Sequence, residues 1–267
     1  MASAANQGPS LRRSTPDAAD AGGVRSVQRA MEIMSLLTEH RPSVTIREIV
    51  EQTGLAKTTA IRLVQTLEQN GLLWATSHGY TAGPGLWRWA HLAHRSWEVP
   101  ADTRQLMREL AATHRETVNL YMTRDIYRVC VAQEESPQAL RHVVRVGDEL
   151  PMWAGASSKI LLRDAPEALL GRIAATAPGG ASHVATLREW IDDAALKGYA
   201  TSAGEREPGL SAVAVPIGGR SVPVVAALCL SGPTLRFTPE RIETFVEALR
   251  DAAARLAEKG FDHPLAG

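Results

Sequence analysis

Residues 45–73 read TIREIVEQTGLAKTTAIRLVQTLEQNGLL. Thr45 and Glu48 have the T-x-x-E spacing of a capping box, in which each side chain satisfies an orphan amide at a helix start. Ile46, Ile49 and Val50 then make a buried stripe, and Gly54 is the residue tolerant of positive φ just past a helix end. A second helix follows at once, with Ala60, Leu63, Val64 and Leu67 inward and Asn70-Gly71 at its end. Two short helices joined by a tight glycine-containing turn are the helix-turn-helix pattern. The outward face of the second carries Thr58, Ile61, Arg62 and Gln65, with Lys57 and Thr59 at its N-terminal end. In this motif those positions reach base edges in the major groove, where Arg reads guanine and Gln reads adenine. A solvated helix face is the competing reading.

The flanks favour the DNA reading. Upstream, Val27, Ala30, Met31, Met34 and Leu37 recur at helical spacing, so residues 25–39 are expected to form an amphipathic helix. Downstream, LLWATSHGYTAGPG (72–85) reads as two short strands around Ser77-His78-Gly79. Three helices and a hairpin make a winged helix, with Ser77 and His78 at the wing tip and Arg25 and Thr45 as further candidate DNA contacts. A linker helix over roughly 84–96 carries Trp87, Trp89 and Leu92, more apolar surface than one small domain covers, and is expected to pack on a second copy. The expected organisation is a disordered tail over 1–23, in which Arg12 and Arg13 are either solvated or in contact with DNA phosphates, a winged helix-turn-helix over 24–83, a linker helix over 84–98 and a second domain over 99–262.

Composition narrows the function classes. The chain has 267 residues and no net charge, yet residues 1–96 carry ten Lys or Arg against seven Asp or Glu, and the remainder nineteen against twenty-two. The front portion is therefore the candidate partner of a polyanion. No run approaches the roughly 20 apolar residues of a membrane helix, and the N-terminal stretch has no secretory core, so a cytoplasmic protein with no membrane partner is expected. Cys130 and Cys229 stand alone, against a disulfide framework or a thiolate metal site. His91 and His94 have ligand spacing but no obvious companions, so neither metal nor cofactor is expected. Ser157-Ser158-Lys159 suggests a serine-lysine nucleophile, but the S-x-x-K spacing fails because position 156 is Ala, and no G-x-S-x-G, P-loop or H-E-x-x-H occurs. An enzyme is not expected.

Several ordered segments carry a family resemblance. VRSVQRAMEIMSLL (24–37), residues 45–73 and GYTAGPGLW (79–87) resemble the DNA-binding domain of the IclR (isocitrate lyase regulator) family. LPMWAGASSKILL (150–162) resembles that family's P-x-H-A-S-A-x-G-K-A-x-L helix entry. GYATSAGEREPGLSAVAVPI (198–217) and VVAALCLSGPTLRFTPERI (224–242) resemble its later strands. The resemblance implies an α+β chain: an N-terminal all-α winged helix-turn-helix domain, a linker helix and a C-terminal GAF- or profilin-like α/β effector-binding domain. The residues agree with it. VNLYMT (118–123) and YRVCVAQE (127–134) read as paired strands, SAVAVPI and VVAALCLS as buried ones, and helices are expected near 154–163 and 166–176. Thr186 and Glu189 read as a capping box opening another helix, and Thr238-Pro239 opens a long one to about Lys259.

The resemblance also implies an effector site between the sheet and the helix after the P-x-H-A-S motif. Carried onto this chain, its residues are Met152, Trp153, Ala154, Ala156, Ser157 and Ser158, opposite Ser202, Ala212, Cys229 and Ser231, with Asn119 and Tyr121 on the floor. Ser157, Ser158 and nearby amides are the expected seat for a carboxylate or another electron-rich group. Trp153 stands where the family often has His, so it is expected either as an aromatic wall, which implies an aromatic or amide-like effector, or as core filling. The partners implied are a palindromic double-stranded DNA operator, a small-molecule effector and the chain itself, as dimer or tetramer. A second domain serving only assembly is the alternative.

Overall fold

The computed structural model describes residues 24–218 and 224–259. The expected tail, with Arg12 and Arg13, and residues 260–262 of the expected second domain lie outside these. The chain divides into two compact units between Arg95 and Ser96.

The first unit contains α1 (Arg25–Met34), β1 (Ser43–Val44), α2 (Ile46–Thr53), α3 (Lys57–Gln69), β2 (Leu73–Thr76), β3 (Gly79–Ala82) and most of α4 (Gly85–Trp97), which runs across the division. Ile33, Val44, Ile49, Ala60, Val64, Leu67 and Leu73 form its buried core. The larger of these side chains contribute roughly 1.5–3 kcal/mol each on burial. The capping box is present: Glu48 takes the Thr45 backbone N–H at 2.7 Å, and the Glu48 N–H donates to Thr45 Oγ1 at 3.2 Å. Gly54 ends α2 in the left-handed region at φ +68°.

Two expectations need correction. The first helix stops at Met34 rather than at residue 39. Beyond it, Leu36 and Leu37 donate to carbonyls three residues back, Thr38 and Arg41 exchange backbone hydrogen bonds, and Arg41 Nε donates to Leu36 O at 2.8 Å. These bonds satisfy the segment outside the helical ladder. Nor is this unit all-α: β1 joins the hairpin in a three-stranded antiparallel sheet of order β1-β3-β2. Ser43 pairs with Thr81 and Val44 with Tyr80, a strand too short to show any sequence period. Gly79 is required there, because a Cβ on it would lie 2.6 Å from Val44 O and its φ is +116°.

The second unit is a six-stranded antiparallel sheet of order β6-β5-β4-β9-β8-β7 with helices on both faces, as expected for a GAF- or profilin-like domain. Its strands are β4 (Thr117–Arg124), β5 (Tyr127–Glu134), β6 (Glu149–Pro151), β7 (Ala200–Ala203), β8 (Leu210–Ile217) and β9 (Ala226–Pro233). Alternation sorts the two faces. Val118, Leu120, Met122, Val213, Val215, Leu228 and Leu230 pack with α5 (Ala101–His114) and α9 (Pro239–Lys259). Tyr121, Cys130, Ala214, Ala227 and Cys229 pack with α6 (Ala156–Leu161), α7 (Glu167–Ala174) and α8 (His183–Lys197).

Helix α9 starts at Pro239, in agreement with the Thr238-Pro239 signal. The expected capping box at Thr186 and Glu189 is overturned: α8 begins at His183, which places Thr186 inside the helix. His183 anchors that first turn, its Nε2 lying 2.7 Å from Trp153 O and its ring edge-on to Trp190. Helix α6 starts two residues later than expected because Gly155, at φ +101°, cannot continue a helix backwards.

Candidate DNA interface and ligand cavity

On α3 the sequence separates two faces. Ala60, Val64 and Leu67 are buried, whereas Lys57, Thr58, Thr59, Arg62 and Gln65 are exposed. Ile61, expected on the outward face, is half-buried. Thr58, Arg62 and Gln65 recur at i, i+4 and i+7, so they share one ridge. Neighbouring cations are already engaged: Arg29 with Glu32 at 2.7 Å, Arg47 with Glu51 at 2.7 Å, and Arg88 over the Trp89 ring. Lys57 and Arg62 make no side-chain hydrogen bond or ion pair among the described residues, so their charges are available to an outside anion. The N-cap of α3, Ala56, supplies no side-chain cap, and the first turn holds no acidic residue. An incoming phosphate therefore meets no competing carboxylate there.

The other candidates are placed as follows. Ser77 and His78 form the exposed two-residue turn between β2 and β3, where Thr76 Oγ1 donates to Gly79 O at 2.8 Å. Gly79 itself belongs to β3. Arg25 is exposed at the first residue of α1. Thr45 is exposed, but its hydroxyl both donates to Glu48 Oε2 at 2.8 Å and accepts the Glu48 N–H, so its established role is the cap.

In the second unit, a cavity of about 40 Å³ lies between the sheet and the start of α6. Seven of the twelve expected effector residues line it: Tyr121, Ala156, Ser157, Ser202, Ala212, Cys229 and Ser231. Asn119 stands behind the lining and donates from Nδ2 to Ser231 Oγ at 2.9 Å. Met152 is buried in the core beneath. Ala154 O accepts from Arg128 Nη1 at 2.8 Å, and Ser158 Oγ donates to Ala154 O at 3.0 Å while accepting from Arg128. Trp153 is not on the cavity: it packs edge-on to His183, on the side of α8. The aromatic wall is Tyr121, whose hydroxyl burial holds well above its ordinary pKa. Burial likewise pushes the Cys229 thiol up to about 12, so it behaves as a small apolar group.

The sequence reading missed the ionisable lining: Arg128, His142, Glu205, Arg206 and Glu207. Arg128 sits within an otherwise apolar strand pattern, and an arginine there was the available signal. His142 lies in the segment between β5 and β6, with Nδ1 3.0 Å from Ser231 Oγ and Nε2 3.4 Å from Arg206 Nη2. Burial, then the charges of Arg206 and Arg128, lower its pKa to about 4, so the ring is neutral. Arg206 is donor-only, so Nε2 accepts and Nδ1 carries the ring proton, which it donates to Ser231. Ser231 Oγ thus accepts from both Asn119 and His142, and its own O–H remains to donate to a ligand.

The expected carboxylate seat at the start of α6 is taken by the chain itself. The Gly155 N–H donates to Glu205 Oε2 at 2.9 Å, and Lys159 Nζ pairs with Glu205 Oε1 at 2.6 Å while donating to Thr201 O at 2.8 Å. Lys159 also lies over the Trp190 ring at 4.1 Å. These partners hold the lysine away from serine chemistry. Among the described residues no group of His, Cys, Asp or Glu is arranged to hold a metal.

Residues 26–74 match the family model described as the IclR helix-turn-helix domain, and residues 91–258 the one described as bacterial transcriptional regulator IclR C-terminal. The chain is 28% identical over 242 residues to the HTH-type transcriptional regulator KipR of Bacillus subtilis, covering 88% of this chain and 96% of that one. It is 28% identical over 254 residues to the acetate operon repressor of Salmonella typhimurium, covering 88% and 90%. A crystal structure of an IclR-family regulator from Rhodococcus sp. superposes with a TM-score of 0.62 at 41% identity, covering 96% of this chain and 100% of that one.

Proposed function

The chain belongs to the IclR family of bacterial transcriptional regulators, and we propose that it is a repressor of a catabolic operon whose hold on a palindromic operator is modulated by a small organic effector. It is a DNA-binding transcriptional regulator; the finer roles are the proposal. The observation that carries the DNA part is the outward ridge of α3, where Lys57 and Arg62 have no ion pair among the described residues and stand beside Thr58, Thr59 and Gln65. The observation that carries the effector part is the polar cavity beneath α6, with Tyr121, Ser157 and Ser231 in its lining.

In this reading residues 24–83 bind DNA, 84–98 link, and 99–262 take the effector. Two copies place two α3 helices in successive major grooves about one helical turn apart. Arg25, Ser77 and His78 add backbone or adjacent-groove contacts. Among the described residues no helix is long and apolar enough to cross a membrane, which accords with a regulator that works in the cytoplasm. Relatives named as regulators and repressors accord with a role other than catalysis.

The effector acts by favouring one of two states that differ in operator affinity. A gel-shift with the purified protein and DNA from upstream of its own gene and of its neighbour tests the proposal. A shift that survives competitor DNA, and that a small organic compound then reverses, is the expected result. Failure of folded protein to select any DNA sequence from a genome-wide pool would defeat it. Ser157→Leu separates the two halves, because a bulky side chain in the cavity removes the effector response while leaving the operator shift intact.

A further inference from the structure

The cavity beneath α6 is too small for the molecule a regulator would sense. Its volume of about 40 Å³ holds a few waters, whereas sites for small organic molecules run to roughly 300–1,000 Å³. An organic effector therefore enters only if part of the wall moves. Most of the wall is fixed. Tyr121 and Cys229 belong to β4 and β9, interior strands paired on both sides. The entry of α6 is tied to β5 by Arg128, whose Nη1 donates to Pro151 O, Ala154 O and Ser158 Oγ.

The loop from Gly204 to Gly209, between the edge strand β7 and β8, is built differently. It contributes Glu205, Arg206 and Glu207 to the lining. Among the described residues its backbone hydrogen bonds lie only near its base: Gly204 N–H to Leu210 O at 2.8 Å, Thr234 N–H to Gly209 O at 2.8 Å and Leu210 N–H to Glu207 O at 3.2 Å. Glycines at positive φ, +66° and +80°, stand at both ends, where the backbone turns without a Cβ penalty.

Between those ends side chains hold the loop. Glu205 Oε2 accepts the Gly155 N–H at 2.9 Å, and Glu205 Oε1 takes Lys159 Nζ at 2.6 Å. Lys159 is itself fixed by Thr201 O and by the Trp190 ring, so the catch on α6 is set in advance. On the other side Arg206 Nη2 reaches His142 Nε2 at 3.4 Å, a longer contact to a neutral ring. Charge-assisted hydrogen bonds are roughly twice as strong as neutral ones, which makes Glu205 the main fastening.

We propose that residues 204–209 form a strap closed over the cavity, with Glu205 as its latch on α6; this rests on the effector reading above and names how that site is gated. The latched form excludes the effector and the released form admits it. A ligand's apparent affinity falls in proportion to the fraction of molecules whose site is open. The strength of the Glu205 contact therefore sets the effector concentration at which the regulator responds.

Cys229 reports on the strap without any effector. It lines the cavity at 2% exposure, while Cys130, fully buried on β5 and outside the lining, serves as the control. Full-length protein is alkylated with iodoacetamide, and each cysteine is followed by mass spectrometry. Both should react slowly in the natural chain. Glu205→Gln should speed Cys229 by about ten-fold or more, the factor that one lost charge-assisted hydrogen bond corresponds to, and leave Cys130 unchanged. Because that variant leaves Lys159 without its counter-ion, Glu205→Gln combined with Lys159→Met is the deciding one: it removes the latch and leaves no unpaired charge. The same selective gain at Cys229 is expected there, with faster hydrogen exchange over 204–210 and none across β4. In the double variant, a Cys229 as slow as in the natural chain overturns the strap. So does a Cys229 that opens together with Cys130, or one that reacts without faster exchange over 204–210. None of these readouts uses a ligand, so the effector reading stands or falls separately, on reversal of the operator shift.

Discussion

His142 Nδ1 lies 3.0 Å from Ser231 Oγ, which joins the segment between β5 and β6 to the central strand β9 through a ring held neutral. The unfolded chain binds a proton on this histidine near pH 6.5, and the folded chain binds it only near pH 4. Protonation thus favours the unfolded state, and stability present above pH 6.5 is lost as pH falls through that window, by about 2 kcal/mol at pH 5. His142→Gln keeps an amide in the ring's place but cannot titrate. Urea melts at pH 7 and pH 5 should show the natural chain losing about 2 kcal/mol more than the variant. Equal losses would mean that other groups set the acid limb.

Arg62 stands on the same ridge of α3 as Thr58 and Gln65, with no ion pair among the described residues to hold it back. Arg62→Ala should weaken operator binding by about 1–3 kcal/mol if the guanidinium reads a base, with no change in Tm. A loss confined to the operator supports base reading. A uniform loss on operator and scrambled DNA, with a shallower salt dependence, identifies a phosphate contact instead. Unchanged affinity in folded protein would remove Arg62 from the interface.

Thr45 separates capping from DNA contact. Its hydroxyl and backbone amide are both bonded to Glu48. Thr45→Ala should cost the first unit about 1 kcal/mol of stability, while Thr45→Ser restores it. Operator affinity measured well below the melting transition should change little in either variant. A loss of affinity in Thr45→Ala without a loss of stability would make Thr45 a contact rather than a cap.

Much of the fold is written in short-range signals. The Thr45–Glu48 box, Gly54, Asn70-Gly71 and Thr238-Pro239 each state a local backbone requirement, and the structure honours each. Thr186 and Glu189 show the limit of such signals: the same spacing lies inside α8, because a tertiary contact from His183 to Trp153 O starts the helix a turn earlier. Helix α5 was legible in principle, since Leu106, Met107, Leu110 and Ala111 recur at helical spacing after Pro100. Strands β1, β6 and β7 span two to four residues each, too few to establish a period. In the cavity, the small side chains were legible because they occupy one face of three strands and a helix entry. Its ionisable groups were not: His142, Glu205 and Arg206 come from irregular segments, and only the folded sheet brings them to Ser231 and Tyr121. Trp153 was misleading for the same reason, since Gly155, Ala156 and Ser157 just after it line the cavity while its ring packs against His183 at the start of α8.

Helix α4 has no buried residue. Trp87 is 80% exposed, and Trp89 and Leu92 are about half exposed. A water-facing helix of this length would gain solubility from charged residues at those positions, and large aromatic side chains left in water forgo the stabilisation that burial brings. A second copy that covers this stripe would recover it, and two-fold symmetry would set Trp87 and Leu92 of one chain against the same residues of the other. Trp87→Ser combined with Leu92→Ser should therefore shift sedimentation from dimer or tetramer toward monomer, with the circular dichroism of the folded protein retained. Because a palindromic operator engages two α3 helices at once, the same variant should bind a full operator little better than a half-site. A variant that sediments as the natural protein does would assign assembly to another surface.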